Sequence, residues 1–141
     1  MTTFTMSTTL ETGYDETLQR VRDLLPEAGF GILTEIDLQA TLRAKLGVEV
    51  DPQVILGACR PQLAHRALEA DPRLAAMLPC NVVVAAQPDG TTRVEAFDPA
   101  VMTSFSDAPE LAAVAAEARD LLAGMLAALD GTQEDSHATR G

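Results

Sequence analysis

The stretch Asn81–Phe97, NVVVAAQPDGTTRVEAF, constrains the fold more than any other part of the chain. Asn81 to Ala86 holds three consecutive valines, and Thr92 to Phe97 is again strand-like. Between them lies QPDGT, whose Asp89-Gly90 pair signals a hairpin turn. Strands joined this closely pair antiparallel, because a parallel return needs a crossover of a dozen or more residues. A purely parallel sheet is therefore excluded, and the helices must pack on a mixed or antiparallel one.

The remaining elements follow from periodicity. Thr3 to Leu10 alternates, with Phe4, Met6, Thr8 and Leu10 on one side of a strand. Asp15 can cap a helix with the stripe Tyr14, Leu18, Val21 and Leu25, which Pro26 and Gly29 end or kink near Leu25. In the next strand Phe30, Ile32, Thr34 and Ile36 face one way, and Gly31, Leu33 and Glu35 the other. Asp37 caps a short helix with Leu38, Leu42 and Leu46 on one face, and Gly47 terminates it. QVILGAC suits a buried strand, and Pro61 opens the helix that follows, running to about Ala70. Asp107, three residues before Glu110, resembles a capping box at the start of a long C-terminal helix. The expected fold is one α+β domain over residues 1–130, a mixed or antiparallel sheet of about five strands with helices packed on it. Residues 131–141 are expected to form a disordered polar tail.

Composition narrows the function classes. Hydrophobic residues make up 47% of the 141, enough for one core, while aromatics are only 4%. The formal net charge of −11, with 21 acidic against 10 basic residues, argues against a nucleic-acid partner. No run of about 18 apolar residues is present, so no membrane span is expected. The N-terminus, MTTFTMSTTLETG, lacks both Lys/Arg and an apolar block and does not read as a signal peptide. With two cysteines, that points to reduced thiols and a cytoplasmic location.

The candidate chemistry lies in ILGACRPQLAHRAL, Ile55 to Leu68. Cys59 ends a strand just before a helix N-terminus, and Arg60 adds positive charge; both favour thiolate. The second cysteine, Cys80, starts a strand after a helical crossover of about twenty residues, a length that allows the two strands to pair near Cys59. Neighbouring strands lie about 4.8 Å apart, so the sulfurs could approach and mild oxidation could link them. His65, six residues beyond Cys59, could serve as a base. Cys59 and His65 are thus the candidate catalytic residues, and Arg60, Pro61, Cys80 and Asn81 the candidate ligand-binding ones. Cys59, Cys80 and His65 offer only three ligands and no CxxC spacing, so no metal and no cofactor are expected. Glu35 and Asp37 make a weak carboxylate pair, since Asp37 is better explained as a cap. No phosphate loop, GxSxG elbow or HExxH motif occurs.

Three readings remain open. The first is a domain that binds a small ligand or anion, or carries thiol chemistry, at the strand–helix junction. The second is a homodimeric interaction module with packed cysteines. The third is a cysteine-nucleophile hydrolase or transferase. A homodimer is expected, joined through a sheet edge or through Leu122, Leu126 and Leu129 of the C-terminal helix.

Three motifs, GFGILTEIDLQATLRAKLGVE, ILGACRPQLAHRALEADP and LPCNVVV, give the chain a resemblance to the bacterial and archaeal family called domain of unknown function 302, over roughly residues 3 to 128. The resemblance implies a compact α+β fold, commonly a homodimer, with no established activity. Many members of that family read Gly-Asn-Pro where this chain has Cys59-Arg60-Pro61, and differ at Cys80. What the resemblance implies in common is the Pro61 helix start, the Leu-Pro before Cys80 and the pocket shape they make.

Overall fold

A computed structural model describes the backbone from Thr3 to Arg140 and the side chains through Gly131. The elements run β1 (Thr5–Leu10), α1 (Tyr14–Glu27), β2 (Gly31–Asp37), α2 (Leu38–Leu46), β3 (Gln53–Cys59), α3 (Pro61–Ala70), β4 (Cys80–Ala86), β5 (Thr92–Phe97) and α4 (Leu111–Arg140). Two 3-10 segments, Pro72–Met77 and Pro99–Ser104, join them. The five strands form one sheet in the order β1-β5-β4-β3-β2, with every neighbouring pair antiparallel. Cross-strand register places Leu56, Val82 and Ala96 in one row and Val54, Val84 and Val94 in the next. All six are buried, and α1 and α4 cover them with Leu18, Val21, Leu25, Leu122, Met125 and Leu129. A second cluster, Leu63, Ala67, Leu74, Met102, Leu111, Val114, Ala115 and Ala118, packs α3 and both 3-10 segments against the first half of α4.

Local signals account for most boundaries. Asp37 accepts from the Ala40 N–H at 2.9 Å, and Gly47 at φ 69° stops α2. Pro61 opens α3. Four details differ from the sequence expectation. Pro26 lies inside α1, which runs to Glu27 and stops at Gly29 with φ 93°. Pro26 cannot donate to the Arg22 carbonyl, and α1 ends one residue later. The N-cap of α1 is Gly13, not Asp15; Asp15 and Glu16 instead sit in the first turn, where the helix dipole favours negative charge. The box at Asp107 does not form, because α4 starts only at Leu111; Ser106 Oγ accepts from the Ala108 N–H at 3.4 Å instead.

The fourth difference is a bulge in β2. Ile32 sits opposite Ala58 and Thr34 opposite Gly57, leaving Leu33 as the extra residue. A bulge reverses the alternation beyond it. Glu35, opposite Leu56, is thus turned to the helix side and ion-pairs with Arg22 of α1. Thr34 and Ile36 take the other face, so Ile32 and Ile36 no longer share a side. Gly57 makes the bulge possible: a Cβ there would stand 2.2 Å from Thr34 Oγ1 and 2.9 Å from Pro79 Cγ.

Leu122, Leu126 and Leu129, expected to form an exposed subunit surface, are buried within the chain's own core. The heptad-like stripe is used up on the sheet, and this part of the dimer expectation is corrected. Helical backbone of α4 continues to Arg140; the side chains of the expected tail beyond Gly131, and all of Gly141, lie outside the described residues. Among the described residues, no helix is long and apolar enough to cross a membrane.

Candidate functional site

The end of β3 and the start of α3 place the residues singled out in the sequence. Strand β3 carries an apolar run to Ala58, after which Cys59 and Arg60 leave the sheet and Pro61 turns the chain into α3. Beneath this corner lies a cavity of about 30 Å³. Phe30, Leu63, Leu78, Met102 and Val114 line it together with Cys59, Arg60 and Cys80. Its walls are apolar except for the guanidinium and the two thiols. A cavity of this size holds about one or two waters and no organic ligand. Whatever binds at this corner must meet it from the rim.

The two cysteines come close but not face to face. Register sets Cys80 opposite Ala58, one residue short of Cys59. Cys80 faces the helix side with Val82 and Val84, and Cys59, at the strand end, lines the same cavity. Cys80 is 6% exposed. Burial, and secondarily the charge of a nearby Cys59 thiolate, pushes its thiol up to about 11, so it stays protonated at neutral pH. Cys59 is half-buried, and both cysteines are free.

His65 lies on the outer face of α3, its side chain 77% exposed, with Nε2 3.3 Å from Glu69 Oε1. The inward positions of that helix are Leu63 and Ala67. His65 does not line the cavity, so the nucleophile–base pair is not assembled. Asn81 is exposed; alternation from Cys80 puts it on the opposite side of the sheet, where it lines a shallow depression of about 230 Å³ with Met77, Pro79 and Phe97. Of the pocket expected from Cys59, Arg60, Pro61, Cys80 and Asn81, the structure brings Cys59, Arg60 and Cys80 to one cavity and puts Asn81 across the sheet. Among the described residues, no group of three or more His, Cys, Asp and Glu could hold a metal ion.

Arg60 stands out by its partners. Seven of the eight arginines with described side chains have a carboxylate oxygen within 3.4 Å; Arg60 has none. Its Nε is buried without a hydrogen-bond partner. The guanidinium lies against Gly29, where a Cβ would stand 2.1 Å from Arg60 Nη1. Glycine at this point serves two needs, the positive φ that stops α1 and the room for Arg60. The charge is thereby held at the carbonyl end of α1, which the helix dipole makes favourable for a cation. Sequence reading identified Gly29 as a helix stop but missed its contact with Arg60, which joins residues 31 positions apart.

The family profile described as "Domain of unknown function DUF302" matches residues 6–129. The chain belongs to this family. A solved DUF302 structure, described as an uncharacterized conserved protein from Bacillus stearothermophilus, is 32% identical, with a TM-score of 0.80 over 89% of this chain and 97% of that one. The search of curated proteins returned no match. Membership in DUF302 thus agrees with the resemblance carried by the sequence motifs, and the all-antiparallel five-stranded α+β sheet is the fold that both share.

Proposed function

We propose that this DUF302 chain is a small-ligand-binding domain whose recognition element is Arg60, taking a small carboxylate or oxyanion at the rim of the β3–α3 corner. One observation carries the reading: in a chain with 21 acidic residues, Arg60 is the single arginine among those described that no carboxylate neutralises. Its buried, unpartnered Nε is a donor that an anion oxygen would satisfy, and charge-assisted bonds of this kind are worth about twice a neutral one. The small apolar cavity behind Arg60 favours recognition of a charged head at the rim over engulfment of a whole molecule.

Thiol exchange between Cys59 and Cys80 is less well supported, because the buried partner is held protonated. A hydrolase or transferase using His65 has still less support, given the exposed His65–Glu69 pair. The test is thermal unfolding of wild type and Arg60→Met in rising phosphate, sulfate, acetate and, as a control, chloride. The reading expects a saturable rise in melting temperature for at least one oxyanion in wild type and its loss in Arg60→Met. If Arg60 serves only to neutralise the α1 terminus, Arg60→Met will lower the midpoint at every anion concentration while the anion response stays the same, and the proposal falls.

A further inference from the structure

The cavity beneath the β3–α3 corner gathers sulfur. Both cysteines of the chain, Cys59 and Cys80, line it, and so does one of the five methionines, Met102. Met102 comes from the 3-10 segment Pro99–Ser104 and is buried, as is Cys80, while Cys59 is half-buried at the end of β3. The sequence offered His65 as the third ligand beside the two cysteines. The fold turns His65 outward and brings Met102 in instead. Apart from Arg60, every other side chain around the cavity is apolar.

We propose that Cys59, Cys80 and Met102 form a binding site for one soft monovalent metal ion, copper(I). Thiolate and thioether are soft ligands, which select copper(I) over the hard cations that take oxygen. Zinc takes four ligands, and no His, Asp or Glu among the described residues joins the two cysteines in a metal-binding group. A cavity of about 30 Å³ suits a single ion and no organic ligand. On binding, each thiol S–H bond breaks, a copper–sulfur bond forms and the proton goes to solvent. Copper stays in the +1 state and no electron moves. The raised Cys80 value, about 11, belongs to the metal-free thiol; a coordinating thiol is deprotonated outright. Two thiolates around one monovalent cation leave a charge of −1, which is costly in an apolar site unless it is paired. Arg60, whose Nε is buried without a partner, lines the same cavity and offsets that charge. The site is held by sulfur and does not depend on anion recognition at the rim.

Anaerobic titration of the full chain with copper(I) against bicinchoninate, a coloured copper(I) chelator, tests this. Wild type should take one copper per 14.9 kDa chain and release protons into a weak buffer as it does so. X-ray absorption of the product should show sulfur ligands only. Losing a partner outside the ligand set of a metal site costs about 10–100-fold in affinity. Cys59→Ala and Cys80→Ala should each cost more than about a hundredfold, and Met102→Leu, which removes the weaker thioether, about 10–100-fold. Circular dichroism checks that each variant keeps its fold, and Cys59→Ala, at a half-buried position, stands in if Cys80→Ala melts. A wild type that draws no more copper from the chelator than the Cys59→Ala/Cys80→Ala double variant overturns the proposal, and the three sulfurs are then packing alone. So does a spectrum with nitrogen or oxygen ligands, or one copper shared between two chains.

Discussion

Alkylation of the native protein at pH 8 with a limiting thiol reagent separates Cys59 from Cys80 by their surroundings. Burial pushes the Cys80 thiol from 9.0 up to about 11. At pH 8 that leaves about one Cys80 in a thousand ionised, against about one in ten for a thiol at 9.0. Labelling of Cys80 should therefore be about a hundredfold slower than that of an ordinary thiol, before its 6% exposure restricts access further. Cys59, half-buried at the strand end, should label first. In denaturant Cys80 should react like any thiol. The same shift has a thermodynamic consequence. A thiol whose folded value is raised contributes stability that is fully present below its unfolded value and is lost as pH rises towards the folded one. Between pH 9 and 11 wild type should thus lose roughly 2 kcal/mol that Cys80→Ala does not. Peptide-resolved mass spectrometry and urea melts across this range measure both. Native Cys80 labelling within tenfold of Cys59, or identical pH slopes for wild type and Cys80→Ala, would refute the burial argument.

Three further outcomes follow from packing and charge. Leu122→Ala, at a fully buried position against the sheet, should cost about 2–5 kcal/mol in urea denaturation; a loss under 1 kcal/mol would mean that α4 is not core. Asp71 is held well below the usual carboxylate range by Arg73 and then by Ser106, which ties the α3 corner to the segment before α4. Its contribution is present above about pH 4 and is lost as pH falls through the lowered value. Asp71→Asn should therefore lower the melting temperature at pH 7 and converge with wild type in strong acid; equal midpoints at pH 7 would count against the staple. Truncation after Asp130 keeps buried Leu129 and the bond from Thr8 Oγ1 to Asp130 Oδ1 at 2.5 Å, so the melting temperature should stay within a degree or so, and a drop of several degrees would show that the removed residues dock.

Much of this architecture is legible in the sequence because its signals are local. The Asp89-Gly90 turn, the Asp37 cap, the Gly47 stop and the Pro61 start each act within a few residues, and the structure keeps all four. The β2 bulge is not legible, because what permits it is the bare Cα of Gly57 on the neighbouring strand, more than twenty residues away. The leucines of α4 illustrate a second limit. Their period states that one face is buried but not by what, and the chain's own sheet claims Leu122, Leu126 and Leu129. At the candidate site, sequence proximity suggested that Cys59, His65, Cys80 and Asn81 converge. Strand alternation separates Asn81 from Cys80, and helical phase turns His65 outward. Only Arg60 gains significance from the structure, through the absence of a carboxylate partner and the notch at Gly29.

The most direct measurement is of the Arg60 Nε–H itself, by nitrogen-15 NMR with the signal assigned through its loss in Arg60→Met. Titrated with phosphate and then acetate at constant ionic strength, the account predicts a saturable shift of this one side-chain signal, with the Nε–H becoming protected from exchange as the anion supplies its missing acceptor. A signal that does not move, or that moves in parallel with those of the paired arginines, would contradict the assignment of Arg60 as the anion-recognition residue.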